Sequence, residues 1–129
     1  MVKTDQKILV IDTTQREQVN VALWSQKKTV RLSIGERAQS LPNVIAQLLH
    51  KARTSLEEID AIAVCNQPGS LTGTRMGVTA ANTLGWLRSL PLIELPTNNF
   101  PDALRQISDG KKFRSKKPVK VARELMPYR

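Results

Sequence analysis

Residues 66–77 form the segment of this chain whose composition and spacing are best suited to chemistry. They read Asn-Gln-Pro-Gly-Ser-Leu-Thr-Gly-Thr-Arg-Met-Gly, after an apolar run at 62–65 that predicts a strand. Glycines let a backbone approach a ligand, and the first N–H groups of a helix can bind an anion. The pattern predicts a corner that binds phosphate or docks a partner. The alternative is an ordinary strand-to-helix turn capped by Ser70 and Thr72.

Asp12 and its neighbours supply the second candidate group. Asp12 ends an apolar run and precedes Thr13 and Thr14. Such an Asp is either a turn-former or a residue facing phosphate and metal. The residues predicted to face a phosphate are Asp12, Thr13, Thr14, Gly69, Ser70 and Thr72.

Other chemistry is poorly supported. The one histidine, His50, has no His or Cys partner three or four residues away, so neither a metal site nor a catalytic triad is predicted. A ribonuclease-H-like nuclease is an alternative, but two-metal cleavage needs several converging carboxylates. Asp12 is suitably placed, whereas Asp60 lies at the opposite end of its strand.

Composition predicts one domain, residues 1–108, followed by a basic tail, 109–129. The chain has 129 residues, 40% of them hydrophobic and 4% aromatic, with a net charge of +9. A single cysteine, Cys65, in an apolar strand suits a buried small residue and a reducing compartment. No signal peptide or membrane span is predicted, so we expect a cytoplasmic protein without membrane contact.

The predicted tail holds much of the charge. Residues 111–129 contain eight of the twenty Lys and Arg residues and one acid. Such a segment is either a solvated end or a site of RNA backbone contact. The candidate RNA contacts are Lys111, Lys112, Arg114, Lys116 and Lys117.

Hydrophobic periodicity predicts an α/β fold. Strands are expected at 8–12, 19–24, 29–34, 61–65 and 92–95, and helices at 41–52 and 72–88, with a short helix at 102–107. This order is that of a single ribonuclease-H-like lobe, as in actin-like ATPases, with a mixed five-stranded sheet and two main helices.

Both main helices carry a marked face. The first has an apolar stripe, and the second has a small residue every fourth position, with two internal glycines costing about 1 kcal/mol each relative to Ala. That cost predicts close packing, either on the chain's own sheet or on a partner. The predicted partner interface comprises Leu41, Val44, Leu48, Gly73, Gly77, Ala81 and Gly85.

Three segments resemble the TsaB family, and they occur in family order over roughly residues 7–100. Residues 67–77 resemble the signature G-P-G-S-F-T-G-x-R-x-G, and residues 8–14 (Ile-Leu-Val-Ile-Asp-Thr-Thr) are similar to I-L-x-I-D-T-S/T. Residues 36–42 resemble the helix entry E-x-x-x-x-L-x-P-x-I in shifted form. The sequence departs from the family at Gln67, where Gly is preferred, and at Leu71, where Phe is preferred.

The resemblance implies a non-catalytic subunit in the threonylcarbamoyladenosine modification of tRNA. Its implied partner is a TsaD-like catalytic subunit, bound through the two helices, with a TsaE-like ATPase, a tRNA contact through the tail and a homodimer as further candidates. The catalytic relatives carry paired histidines on the equivalent helix, and residues 36–43 have none. Family members also have a second lobe, so one lobe alone predicts no tight ATP site and no cofactor.

Two alternatives remain open. The first is a degenerate lobe whose basic tail makes it an RNA-binding accessory, and the second is a truncated gene product without an independent role.

Overall fold

The structure is a computed structural model that describes residues 5–35, 40–67 and 69–110, and the backbone of residues 114–115. Five strands form most of the sheet: β1 (Ile8–Asp12), β2 (Gln18–Trp24), β3 (Thr29–Gly35), β4 (Ala61–Cys65) and β5 (Leu92–Leu95). Three helices pack against them: α1 (Leu41–Lys51), α2 (Leu71–Arg88) and α3 (Phe100–Ser108). A short strand, β6 (Arg114–Ser115), completes the set.

The sheet is mixed and has the order β3-β2-β1-β4-β5-β6. β1 pairs with β2 antiparallel and with β4 parallel, so that Ile11 faces Val21 on one side and Val64 on the other. Every residue of β1 and β4 is buried, because helices cover both faces of the sheet. α1 and α2 pack on one face and α3 on the other.

Capping residues fix where the helices begin. Ser40 and Ser70 accept hydrogen bonds from the backbone N–H of Asn43 and Gly73. α1 therefore starts at the predicted residue, Leu41, and α2 starts at Leu71, one residue before the predicted start. The Asn99 side chain accepts from the Asp102 N–H at 2.8 Å, so α3 starts at Phe100, two residues before the predicted start.

The predicted α/β fold with two main helices is confirmed, with one addition. β6 pairs antiparallel with β5 and adds a sixth strand, and it falls inside the segment predicted to be a tail. In the part of the chain that the structure describes, no helix is long and apolar enough to cross a membrane.

Several predictions concern residues outside the described ranges. These are the helix-entry motif at 36–39, Pro68 of the glycine-rich segment, and the candidate RNA contacts Lys111, Lys112, Lys116 and Lys117. Only the backbone of Arg114 is described.

The small-residue face of α2 packs on the chain's own sheet. A Cβ atom at Gly77 would lie 2.3 Å from Thr13 Oγ1, and one at Gly85 would lie 2.8 Å from Leu92 Cδ2. Ala81 is fully buried. The glycines are therefore needed because the helix backbone lies directly on β1 and β5.

This packing corrects the predicted partner interface. All seven residues assigned to it lie in the interior of this chain, because the sheet covers the small face of α2 and the stripe of α1 fills the same core. They are Leu41, Val44, Leu48, Gly73, Gly77, Ala81 and Gly85.

Substitution of Gly77 by Ala should destabilise the protein. Thr13 Oγ1 is buried and donates to the Gly73 carbonyl, so it cannot move aside without losing that bond. We expect Gly77→Ala to lower the free energy of unfolding by about 2 kcal/mol in urea titrations.

Gly35→Ala is the matched control, because a Cβ atom there meets nothing within 4 Å. Adding Thr13→Ala to Gly77→Ala should recover part of the loss by removing the clashing oxygen. Equal stability of the Gly77→Ala and Gly35→Ala variants would contradict the close contact.

Candidate functional site

The polar centre of the fold lies where three parallel strands end. Asp12 ends β1, Asn66 follows β4, and Thr97 lies two residues beyond β5. All three are buried, and the amino end of α2 begins at the same edge of the sheet. The carboxyl edge of such a sheet is the usual place for a ligand site.

The turn after β1 and the loop before α2 are joined by hydrogen bonds. The Ser70 N–H donates to the Thr14 carbonyl at 2.6 Å, and the Thr13 hydroxyl donates to the Gly73 carbonyl at 2.5 Å. A Cβ atom at Gly69 would lie 2.6 Å from the Thr14 carbonyl oxygen. Glycine at this position allows the loop to press against the turn.

A second connection reaches the segment before α3. The Gln15 amide donates to the Asn98 carbonyl at 2.7 Å, and the Thr97 hydroxyl accepts from the Asn99 N–H at 3.1 Å. The corner is thus filled by the chain's own groups. It can hold the strand ends and α2 in register.

Asp12 is the charged group at the centre of this corner. Its Oδ1 accepts from the Thr14 N–H at 2.8 Å and the Thr14 hydroxyl at 2.5 Å. Its Oδ2 is buried without a hydrogen-bond partner among the described residues. A buried carboxylate oxygen without a hydrogen-bond donor is energetically costly. Of the groups in this corner, Asp12 is therefore the one whose presence local stability explains least.

Cys65 lies beside this corner and is not a nucleophile. Burial raises the pKa of its thiol well above the usual value, and the charges of Asp12 and Asp102 raise it further. The neutral thiol is a packing group in the core, as its apolar strand predicts.

The outer face of α1 and α2 carries an apolar groove. Two adjoining hollows of about 440 Å³ and 330 Å³ share Pro42 and Ala80. The first continues along Met76 and Thr79, with Arg75 at its side. The lining of the second is otherwise Ile45, Ala46, Leu49, Leu56, Thr83 and Leu84.

The family is shown by sequence. A family model described as TsaD, tRNA N6-adenosine threonylcarbamoyltransferase, matches residues 33–99, just over half of the chain. The chain belongs to this family.

Relatives and solved structures agree with that assignment. The chain is 35% identical over 94 residues to the tRNA threonylcarbamoyladenosine biosynthesis protein TsaB of Escherichia coli, covering 70% of this chain and 40% of that protein. It is 34% identical over 73 residues to the tRNA N6-adenosine threonylcarbamoyltransferase of Methylorubrum extorquens, covering 57% of this chain and 21% of that enzyme. The resemblance to TsaB is confirmed.

The fold assignment rests on a solved structure. YeaZ from Pseudomonas aeruginosa superposes with a TM-score of 0.64 at 26% identity, covering 70% of this chain and 43% of that chain. The prediction of an actin-like, ribonuclease-H-like lobe is confirmed. This TsaD-family chain spans less than half the length of the E. coli and P. aeruginosa proteins that it matches.

The predicted phosphate-facing residues of this TsaD-family lobe separate into two groups. Asp12, Thr13 and Thr14 are buried, with relative exposures of 0–1%. Gly69, Ser70 and Thr72 are at the surface or partly exposed. A phosphate contact stays a prediction for all six residues.

Among the residues that the structure describes, carboxylates do not converge on Asp12 as the nuclease alternative requires. Asp60 lies at the other end of β4, where its Oδ2 accepts from the Lys7 N–H at 2.8 Å. His50 is exposed in the last turn of α1. Within the described ranges, no group of three His, Cys, Asp or Glu side chains could hold a metal ion.

The groove was only partly visible in the sequence. Ile45 and Leu49 belong to the apolar stripe of α1, but the contribution of α2 was missed. Met76, Ala80 and Leu84 recur at positions i, i+4 and i+8, next to the small-residue face. That spacing was the available signal.

Two substitutions of Asp12 should separate its charge from its hydrogen bonds. Asp12→Asn keeps an acceptor for Thr14 and removes the buried charge, so the free energy of unfolding should stay within about 1 kcal/mol of the parent value or exceed it. Asp12→Ala removes the acceptor and should cost about 2 kcal/mol. Urea unfolding followed by circular dichroism measures both.

Proposed function

We propose that this chain is a non-catalytic, TsaB-like subunit that supports the threonylcarbamoyladenosine modification of tRNA by binding a TsaD-type transferase. The observation that carries the proposal is the apolar groove between α1 and α2. The family relationship indicates the kind of partner, and the groove is the surface that we propose binds it.

The groove suits a helix or loop of another protein. Its floor includes Ile45 and Leu49, which are 5% and 8% exposed, and its walls include Ala, Pro, Leu, Met and Thr side chains. Small side chains at Ala46 and Ala80 allow close approach of a partner backbone. An apolar groove between two helices is a common way to bind a helix.

Among the described residues that line the groove, the one charged side chain is Arg75. Arg75 is exposed beside the hollow at the amino end of α2, close to Thr72 and Thr79. An acidic side chain of the partner at this position would form an ion pair with Arg75. Such an ion pair at the edge of an apolar interface fixes orientation more than it adds affinity.

The non-catalytic role is supported by the chemistry of the described residues. The chain's one histidine is exposed at the end of α1, its one cysteine is buried with a raised thiol pKa, and Asp12 is enclosed by the chain itself. None of these groups is placed to act on a bound substrate. Catalysis in this proposal belongs to the partner.

A charge placed in the groove should abolish binding without unfolding the chain. Ala46 is exposed on α1 and lines the groove, so Ala46→Glu buries a carboxylate in the interface. We expect affinity for the TsaD-type transferase of the same organism to fall about 100-fold or more in titration calorimetry.

Asn43→Glu is the matched control, because Asn43 is exposed on the same helix and does not line the groove. It should bind like the parent chain. If the parent binds and Ala46→Glu binds equally well, the groove is not the interface. If the parent does not bind the transferase at all, the proposed function is wrong.

The isolated chain should lack nucleotide chemistry. Because the polar corner is filled by the turn after β1, we expect no ATP hydrolysis and a dissociation constant no tighter than millimolar, about −4 kcal/mol. Calorimetry and a phosphate-release assay measure these quantities. Micromolar ATP binding would contradict a purely structural role for the corner.

A further inference from the structure

β3 is an edge strand with an open side. The sheet order places β3 last, next to β2, and among the described residues no strand pairs with its other side. An edge of seven residues leaves a row of backbone N–H and C=O groups with which another strand can pair. Many proteins protect such an edge with proline or with inward-pointing charges. β3 has neither, because its inward side chains are apolar.

The turn before β3 shows which of its backbone groups face outward. The Ser25 N–H donates to the Lys28 carbonyl at 3.0 Å, so the carbonyl of Lys28 points toward the β2 side. Hydrogen-bonded and non-hydrogen-bonded pairs alternate along an antiparallel ladder. The backbone groups that face away from β2 are therefore those of Thr29, Arg31, Ser33 and Gly35.

The Arg31 carbonyl agrees with this alternation. It accepts a hydrogen bond from Lys51 Nζ at 2.9 Å, which requires that it be accessible from outside the ladder. Lys51 lies in the last turn of α1 and is exposed. This bond involves a single carbonyl of the edge, and the N–H of a paired strand would replace the lysine there.

β3 can pair with its own copy in a register that uses all seven of its residues. A twofold axis through Leu32, perpendicular to the sheet, places Leu32 opposite itself. On the core-facing side, Val30 then lies opposite Ile34 of the second copy, so apolar side chains meet. On the other side, Arg31 lies opposite Ser33 of the second copy, and like charges are not directly opposed.

The neighbouring registers are poorer. An axis through Arg31 places two guanidinium groups opposite each other, which is destabilising. An axis through Ser33 leaves Thr29 and Val30 unpaired within β3. A slip by one residue would oppose inward and outward side chains. The edge of β3 is therefore complementary to itself about Leu32.

We propose that two copies of this chain pair through β3 about this axis and form one continuous sheet. The pairing adds about eight backbone hydrogen bonds and covers the partly buried side chains of Val30, Leu32 and Ile34. This self-complementarity favours a second copy over an unrelated strand. The described residues that line the groove between α1 and α2 do not include any residue of β3, so the dimer and the proposed transferase use different surfaces.

Molar mass as a function of concentration tests the pairing. In sedimentation equilibrium, the mass of the parent chain should rise from 14.4 kDa toward twice that value between about 2 µM and about 200 µM. Arg31→Pro removes an outward N–H and places a ring at the edge without breaking a bond to β2, so it should stay monomeric. Arg31→Thr is the matched control. It keeps the N–H and should dimerise at least as tightly as the parent.

An exchange of charge tests the register. Ser33→Arg places an arginine opposite Arg31 of the second copy at two symmetric contacts, so association should weaken about fivefold. Adding Arg31→Glu places opposite charges at these contacts and should restore association. Both variants lose the same hydrogen bond from Ser33 to Asn20, so their comparison isolates the charge. This comparison decides the matter if circular dichroism shows that Arg31→Pro is unfolded.

Three results would overturn the proposal. A parent chain that stays monomeric over the whole range does not pair through β3. Equal dimerisation of Arg31→Pro and Arg31→Thr would assign the contact to another surface. Protection of the outward β3 N–H groups from hydrogen exchange only after the transferase is added would assign the edge to that protein.

Discussion

The direct contact between the backbone of α2 and the sheet is the constraint on which the rest of the structure depends. Thr13 donates to the Gly73 carbonyl, and the positions of Gly77 and Gly85 leave no room for a Cβ atom beside Thr13 and Leu92. At these two positions the helix lies too close to the sheet to carry a side chain. The glycines lower the helix propensity of α2, and burial of the strands beneath the helix offsets this cost.

This contact also determines the two candidate sites. It holds the amino end of α2 against the turn after β1, where Ser70 donates to the Thr14 carbonyl and the polar corner closes. The same contact holds α2 close to the sheet beside α1, so that Ala80 and Leu84 lie next to Pro42 on the outer face. Closing the corner and opening the groove are consequences of the same packing.

The secondary structure was largely predictable because local rules and tertiary packing agree. The stripe of α1, the capping serines and the five strands appear where periodicity places them. β6 was not predicted, since two residues within a basic stretch carry no alternation. β6 forms because it pairs with the free edge of β5. Sequence periodicity does not show which strand has a free edge.

The candidate sites were less predictable for a related reason. Spacing shows that one face of α2 is small, but it does not show what covers that face, and the sheet does so instead of a partner. The motif around Asp12 identifies the strand end, whereas its burial depends on contacts between Thr14 and Gly69, residues far apart in the chain. Only the folded structure brings these residues together.

The described residues that line the groove all lie between Ser40 and Leu84. A nucleotide site of the actin-like kind needs a second wall facing the corner. Within this lobe the wall facing Asp12 is the chain's own turn, tied to α2 through Thr13, Thr14 and Ser70. Opening the corner would break those bonds, whereas a partner in the groove would leave them in place. This packing supports the proposal that the lobe binds a protein partner and not a nucleotide.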